Sequence, residues 1–134
     1  MAGYSGKSLV EKLGLKEGSR VYFDNSPLSF EKEIADSPIT FKIFEKPESN
    51  LDFIISFVTE KAELHETFPK LKSHLAKNGN LWVGWPKGSS KIPKDLNENI
   101  VRTIGLENSL VDVKVAAIDE DWSALKFVFR LKDR

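Results

Sequence analysis

Polar and aromatic side chains stand at the predicted carboxyl ends of three strands, where they could hold a small polar ligand. In an open α/β sheet, ligands bind beyond the carboxyl ends of the parallel strands, at the point where the strand order reverses. An amide, two hydroxyls, an indole and an ammonium at such an edge would supply its hydrogen bonds. Trp85, the last residue before a proline and a loop, is the best candidate to line a pocket. The candidate ligand-binding residues at these three ends are Asn25, Ser26, Thr59, Trp85 and Lys87.

A short basic loop follows the third of these ends. Lys87, Lys91 and Lys94 have no acidic residue between them. The loop leads to a predicted helix start at Asp95, and helix N-termini favour anions through their free N–H groups. Two interpretations stay open, namely a site for an anionic group near Lys87 and a solvated lysine loop.

Catalytic and metal-binding patterns are weak. His65 and His74 lie nine residues apart, whereas metal-binding pairs on one helix are about four apart. The nucleophile-elbow pattern is absent, and the chain has no Cys. The acidic triplet at 119–121 is interpreted as a solvated turn, with cation binding as the alternative. We assign no catalytic residue and predict no metal site.

Charge and hydropathy exclude several classes of protein. The 134 residues include 20 Lys or Arg and 20 Asp or Glu, whereas nucleic-acid binding depends on a net basic face. No apolar run approaches the roughly 18 residues that a membrane span needs, and the start of the chain lacks a signal-peptide layout. We expect residues 1–134 to form a single domain of a cytoplasmic protein, which the lack of Cys also fits.

Caps, apolar periodicity and turn residues predict the elements that position the candidate residues. Ser8 with Glu11 predicts a capping box that opens a short helix ending at Gly14. Pro27 behind a Ser26 cap predicts a second helix near residues 27–35. The other predicted elements are strands at 20–23, 41–44, 51–58 and 81–85, helical segments at 59–77 and 95–105, and a hairpin of two alternating strands around 119–121.

Particular residues predict three further details of this layout. Pro69 predicts that the segment 59–77 is kinked or divided into two helices, and Asn78-Gly79 predicts its end. Asp95 with Glu98 predicts a second capping box, on a helix that Gly105 stops. The strand at 41–44 is too close to the next strand for a helical crossover, so it either pairs antiparallel or does not neighbour that strand.

The resulting fold class is α/β. The strand at 51–58 is almost continuously apolar, which indicates burial on both faces of a parallel sheet. We predict a three-layer sandwich with a mostly parallel, Rossmann-like sheet that ends in an antiparallel hairpin. The hairpin offers an edge for pairing, although Lys126 and Arg130 are charges of the kind that discourage it. The expected oligomeric state is therefore a monomer or a weak homodimer.

The second half of the chain contains the segments LDFII at 51–55, LAKNGN at 75–80 and LWV at 81–83. Together with the reversed last strand of the hairpin, they resemble class I S-adenosylmethionine-dependent methyltransferases over residues 51–131. The resemblance implies a Rossmann-like fold and a cofactor close to the turn after the first strand. That turn, Asp24 to Pro27, has no glycine to admit the cofactor against the backbone, so it disfavours S-adenosylmethionine. Glu45 stands where these folds place a ribose-binding acid, with a solvated glutamate as the alternative.

Three further motifs are AGYSG at 2–6, WPK at 85–87 and DEDWSALKFV at 119–128. They are similar to those of a family of small bacterial proteins of unknown function, over essentially the whole chain. This resemblance implies a fold and no established activity.

The leading hypothesis is a non-catalytic domain that binds a small molecule or a protein and is derived from a methyltransferase-like fold. The alternative is a divergent S-adenosylmethionine-dependent methyltransferase, or another enzyme acting on a small anionic substrate at Trp85 and Lys87.

Overall fold

The computed structural model describes residues 8–134, and the strands in that range form one six-stranded sheet. The strands are β1 (Arg20–Asp24), β2 (Lys42–Phe44), β3 (Leu51–Phe57), β4 (Leu75–Pro86), β5 (Leu110–Ala117) and β6 (Trp122–Phe129). Their order is β2-β1-β3-β4-β6-β5, with β1 to β4 parallel and β6 antiparallel to both β4 and β5. The predicted mostly parallel sheet with an antiparallel end is confirmed.

Helices cover both faces of this sheet. They are α1 (Leu9–Leu13), α2 (Leu28–Ala35), α3 (Lys61–His74), α4 (Glu98–Glu107) and a short 3₁₀ helix (Leu131–Asp133). One apolar core joins α1 and α2 to one face, and a second core joins α3 and α4 to the other. The three layers are therefore confirmed. Among these described helices, none is both long and apolar enough to cross a membrane.

Strand β3 is the centre of both cores. Ile54 belongs to the core on the α3/α4 side and Ile55 to the core on the α1/α2 side, and both side chains are fully buried. The apolar run at 51–58 follows from this double burial. Trp82 of β4 faces the α1 side, where its indole N–H donates to the Leu13 carbonyl at 3.0 Å.

The first helix follows its sequence signals. The Ser8 hydroxyl accepts from the Glu11 N–H, and the Glu11 carboxylate accepts from the Ser8 N–H. Gly14 ends the helix at φ 73°, a backbone conformation that favours glycine. The predicted motif AGYSG lies outside the described residues.

Strand β2 pairs parallel with β1, with Phe44 opposite Tyr22. The connection from β2 therefore passes β1 to reach β3. Of the two alternatives for the strand at 41–44, the one in which it does not neighbour the next strand is confirmed.

Two predicted helix starts are displaced. Helix α2 begins at Leu28 with Pro27 as its N-cap, because the Ser26 hydroxyl donates to the Glu31 carboxylate at 2.5 Å rather than capping. Helix α4 begins at Glu98 with Asn97 as its cap, the Asn97 side chain accepting from the Ile100 N–H at 2.9 Å. The predicted capping role of Asp95 on this helix is therefore wrong.

The predicted end of the third helix is also wrong. Helix α3 continues through Pro69 as one helix, so it is not divided, and it ends at His74. The next residue, Leu75, pairs with Leu51 of β3, and this pairing draws 75–80 into β4. Gly79 lies inside β4, where a Cβ would stand 2.8 Å from the Leu51 carbonyl oxygen.

Gly105 does not stop α4, which runs on to Glu107. It is buried, and a Cβ there would overlap the Phe127 ring, whose Cζ is 2.5 Å from that position. Phe127 cannot readily yield, because it is fully buried and stacks edge-to-face with Phe68 at 5.3 Å between ring centroids. The glycine therefore sets the distance between α4 and the sheet.

We predict that Gly105→Ala lowers the free energy of unfolding by about 1–3 kcal/mol, because the added methyl overpacks this contact. Urea denaturation followed by circular dichroism measures the change. Gly88→Ala is the matched control, since no atom lies within 4 Å of a Cβ at that position, and its effect should stay within about 0.5 kcal/mol. Equal stability of the two variants would contradict the close approach.

Candidate functional site

The strand order reverses beside β1, which has β2 on one side and β3 on the other. In α/β sheets this switch point forms a crevice at the carboxyl ends of the strands. The register pairs Asp24, the last residue of β1, with Ser56 near the end of β3. Asn25, Ser26 and Thr59 follow these strand ends, so the predicted residues from β1 and β3 lie at the same edge.

A partly buried polar cluster lies at the switch point. The Ser56 hydroxyl donates to the Asp24 carboxylate at 2.7 Å, and Ser56 is fully buried. Burial raises the pKa of Tyr22 above its ordinary value, and the negative charge of Asp24 and a hydrogen bond to it raise this pKa further. These three side chains share the face of the sheet that α3 covers.

Sequence reasoning did not single out this cluster. The apolar run at 51–58 places Ser56 inside a buried strand, and Asp24 belongs to the predicted turn that ends at Pro27. The available signal was a polar side chain near the end of each of two apolar strands, but only the register brings the two together. The cluster has no histidine or lysine to take a proton from Ser56, whose hydroxyl donates to a carboxylate instead, so it does not form a nucleophile–base pair.

Side chains of the turn after β1 donate hydrogen bonds to carboxylates of the neighbouring helices. Asn25 has φ 56°, a left-handed conformation that asparagine tolerates better than most residues, and its side-chain amide lies 3.4 Å from the Glu63 carboxylate as donor. Ser26 donates to Glu31, as described above. Two acidic side chains therefore border this turn.

Glu45 lies at the same edge, one residue beyond β2. Its neighbour Phe44 is paired with Tyr22 of β1, which places Glu45 beside the end of β1. Its side chain is exposed. The structure therefore brings Glu45 to the strand end that carries Asn25, as the sequence predicts for a ribose-binding acid, and adds a third carboxylate to the edge.

Thr59 connects the end of β3 to the segment before α4. Its carbonyl accepts from the Asp95 N–H at 3.2 Å, and the Asp95 carboxylate accepts from the Lys61 N–H at 2.6 Å. Asp95 thus serves the start of α3 instead of α4. A carboxylate already occupies the place where that helix start would attract an anion.

Trp85 and Lys87 take different positions at the end of β4. The Trp85 side chain is only 5% exposed and packs in the core beneath α3 and α4. The Lys87 N–H donates to the Asp121 carbonyl at 2.8 Å, and the Ser90 hydroxyl donates to the Asp121 carboxylate at 2.9 Å. The acidic turn of the hairpin therefore holds the basic loop in place.

An open groove of about 310 Å³ lies between α3 and α4, and sequence reasoning did not single it out. Its floor is apolar and its rim carries charged and polar side chains. The lining residues are Lys61, His65, Asn99, Ile100, Thr103, Ile104 and Glu107. Within residues 8–134, no three His, Asp or Glu side chains converge as a metal site.

No protein-family model and no curated protein matches this chain. Its fold is similar to that of solved methyltransferases. A SAM-dependent methyltransferase from Aquifex aeolicus has a TM-score of 0.64 at 14% identity, covering 89% of this chain and 86% of that one. Magnesium protoporphyrin IX methyltransferase from Synechocystis PCC 6803, with bound SAH, has a TM-score of 0.59 at 11% identity, covering 90% and 78%.

A third similar structure is a putative type 11 methyltransferase from Sulfolobus solfataricus, with a TM-score of 0.57 at 14% identity, covering 91% of this chain and 89% of that one. At such identities the likeness shows the fold, which is methyltransferase-like. The resemblance to the small bacterial family stays a prediction.

We predict that Tyr22 titrates above the ordinary tyrosine pKa of about 10 and that Asp24→Asn lowers its midpoint. The amide removes the charge that disfavours the phenolate. Absorbance at alkaline pH measures this in a Tyr4→Phe background, because Tyr4 is the other tyrosine. Since the folded-state pKa of Tyr22 is raised, its contribution to stability is complete below about pH 10 and is lost as the pH rises through the folded-state value.

Asp36→Asn is the control, because Asp36 is an exposed carboxylate at the end of α2. An Asp24→Asn midpoint equal to that of the control would show that Asp24 does not act on Tyr22.

Proposed function

We propose that this chain is a non-catalytic domain with a methyltransferase-like fold, which binds a small ligand or a protein at the carboxyl edge of its sheet. The observation that carries this proposal is the turn from Asp24 to Pro27. A cofactor that lies against the backbone needs a turn without Cβ atoms. Here Asn25 and Ser26 both carry side chains, and both are engaged with carboxylates.

The start of α2 also supports the absence of cofactor chemistry. Its N-cap is Pro27, which has no N–H to donate. Glu31 adds a negative charge in the first turn. Both features weaken the attraction that a helix N-terminus has for an anionic group.

The carboxyl edge of the sheet is acidic on one side and basic on the other, which limits the ligands that would fit it. Glu31, Glu45 and Glu63 lie on the β1 and β2 side, whereas Lys87 and Lys91 follow β4. A small ligand with separated positive and negative groups would match both sides. A protein partner presenting such a pair of charges would match them equally.

The second candidate is a divergent S-adenosylmethionine-dependent methyltransferase. It is favoured by the position of Glu45 beside the end of β1, where dinucleotide folds place the acid that binds a ribose. The acidic border of the turn would also attract the sulfonium and ammonium groups of S-adenosylmethionine. An enzyme for a small anionic substrate would instead use Lys87, whose backbone is held by the Asp121 carbonyl.

Calorimetric titration with S-adenosylmethionine separates these functions. We expect no saturable heat with up to about 1 mM ligand, because the turn excludes the cofactor. Micromolar binding that is lost in Asn25→Ala and Glu45→Gln would overturn the non-catalytic proposal. Glu48→Gln is the control, since Glu48 is an exposed carboxylate in the same segment.

Native mass spectrometry of protein taken directly from its host provides the positive arm of this test. We expect a bound small molecule or protein whose occupancy falls in Asn25→Ala and Glu45→Gln but not in Glu48→Gln. Equal occupancy in all three variants would place the binding site elsewhere.

A further inference from the structure

A row of basic side chains crosses the sheet on the α1 side. Lys126 of β6 stands directly opposite Trp82 of β4 and Lys114 of β5, and directly opposed residues project from the same face. Two further lysines contribute to this row. The Lys12 ammonium donates to the Ala117 carbonyl of β5 at 3.1 Å, and the charge of Lys16 helps to lower the pKa of Lys126.

Lys126 is the central member of this row, and it is partly buried. Strand β6 lies between β4 and β5, so Lys126 is not an edge charge, and the predicted role in discouraging edge pairing is wrong for it. Its ammonium lies under the end of α1, 3.9 Å from where a Cβ on Gly14 would stand. Burial lowers the pKa of Lys126, and the charges of Lys114 and Lys16 lower it further.

The repulsion between these lysines lowers the stability of the fold unless a negative charge offsets it. Like charges directly opposite each other destabilise a pair of strands. Edge protection accounts for Lys114, because β5 is the edge strand, but it does not account for Lys126 inside the sheet. Stability alone would favour an apolar side chain at that position.

No carboxylate neutralises the four lysines among the ion pairs of residues 8–134, which involve Lys70, Arg102 and Arg130. The nearby Asp112 carboxylate is bonded to Arg102, and the register places it opposite Phe127, on the other face. The seven residues before Ser8 contain no Asp or Glu. Among the described residues, no ion pair supplies a counter-charge to these lysines, so an anion that binds this row would supply one.

We propose that Lys12, Lys16, Lys114 and Lys126 form a binding site for a small molecule that carries phosphate groups. Phosphate oxygens accept several charge-assisted hydrogen bonds at once, and lysine ammonium groups are common donors to them. Val111 and Val128 pair beside this row on the same face and are partly exposed, so an organic portion of the ligand would contact them.

This site is separate from the carboxyl edge. It lies on the α1 side of the sheet, whereas Tyr22, Asp24 and Ser56 lie on the α3 side. A lack of ligand binding at the carboxyl edge would therefore leave the lysine site unaffected, and the reverse also holds.

Calorimetric titration with inorganic pyrophosphate in about 0.15 M salt tests the site, because weak surface attraction is largely screened under those conditions. We expect saturable binding that weakens about 10-fold in Lys126→Gln, the loss of one charge-assisted contact. Lys114→Gln should weaken it similarly and, being on the exposed edge, leaves the core untouched. Lys70→Gln is the control, because Lys70 is an exposed lysine of α3 on the other face of the sheet, and it should leave the affinity unchanged.

The melting temperature of Lys126→Met without ligand distinguishes a binding role of Lys126 from a structural one. Methionine keeps an unbranched chain and removes the repelled charge, so the melting temperature should rise. A lower melting temperature would assign Lys126 a structural role and overturn the inference.

Absence of pyrophosphate binding, or equal weakening in Lys70→Gln and Lys126→Gln, would also overturn it. A single-stranded oligonucleotide that binds through Lys126 while pyrophosphate does not would identify a nucleic-acid surface instead, and the small-molecule proposal would then be wrong.

Discussion

The parallel pairing of β3 between β1 and β4 is the constraint on which the rest of this fold depends. Strand β3 contributes buried residues to both apolar cores, so every helix layer packs against it directly or through its neighbours. Its register with β1 also aligns Ser56 with Asp24. A slip of one residue would move Ile54 and Ile55 each to the face that the other now occupies. It would also separate the Ser56 hydroxyl from the Asp24 carboxylate.

The same pairing explains why the switch point is closed by its own side chains. Ser56 is satisfied by Asp24, Asn25 reaches Glu63, and Asp95 covers the first N–H of α3. In a sheet whose fold is methyltransferase-like, the strand ends that face the crevice are thus bonded within the protein. Glu45 beyond β2 and Lys91 beyond β4 are both exposed, and these two strands lie on opposite sides of β1 and β3.

The sequence predicted the elements whose signals are local. The capping box of α1, the double burial of β3 and the terminal hairpin depend on neighbouring residues, and the structure confirms all three. Predictions failed where a distant partner competed with a local signal. Leu75 leaves the helical pattern because Leu51 pairs with it, and Asp95 bonds to Lys61 instead of capping its own helix.

The same distinction applies to the candidate site. The strand-end residues could be found because each follows an apolar run, whereas the Asp24–Ser56 contact and the opposition of Lys114 to Lys126 depend on register. A two-residue alternation does not reveal which positions face each other across a bulged pair such as β5 and β6. Pairs of polar residues across strands are therefore the part of this molecule that single-sequence reasoning cannot reach.

The place of β6 between β4 and β5 has a consequence for synthesis on the ribosome. Strand β4 ends at Pro86, but the strand that pairs with its open side begins only at Trp122, near the end of the chain. Throughout that interval a nascent chain presents an apolar edge with unpaired backbone groups. The space over Gly105 also stays unfilled until Phe127 has been synthesised, so the sheet and the core beneath α4 are completed only after β6 has left the ribosome.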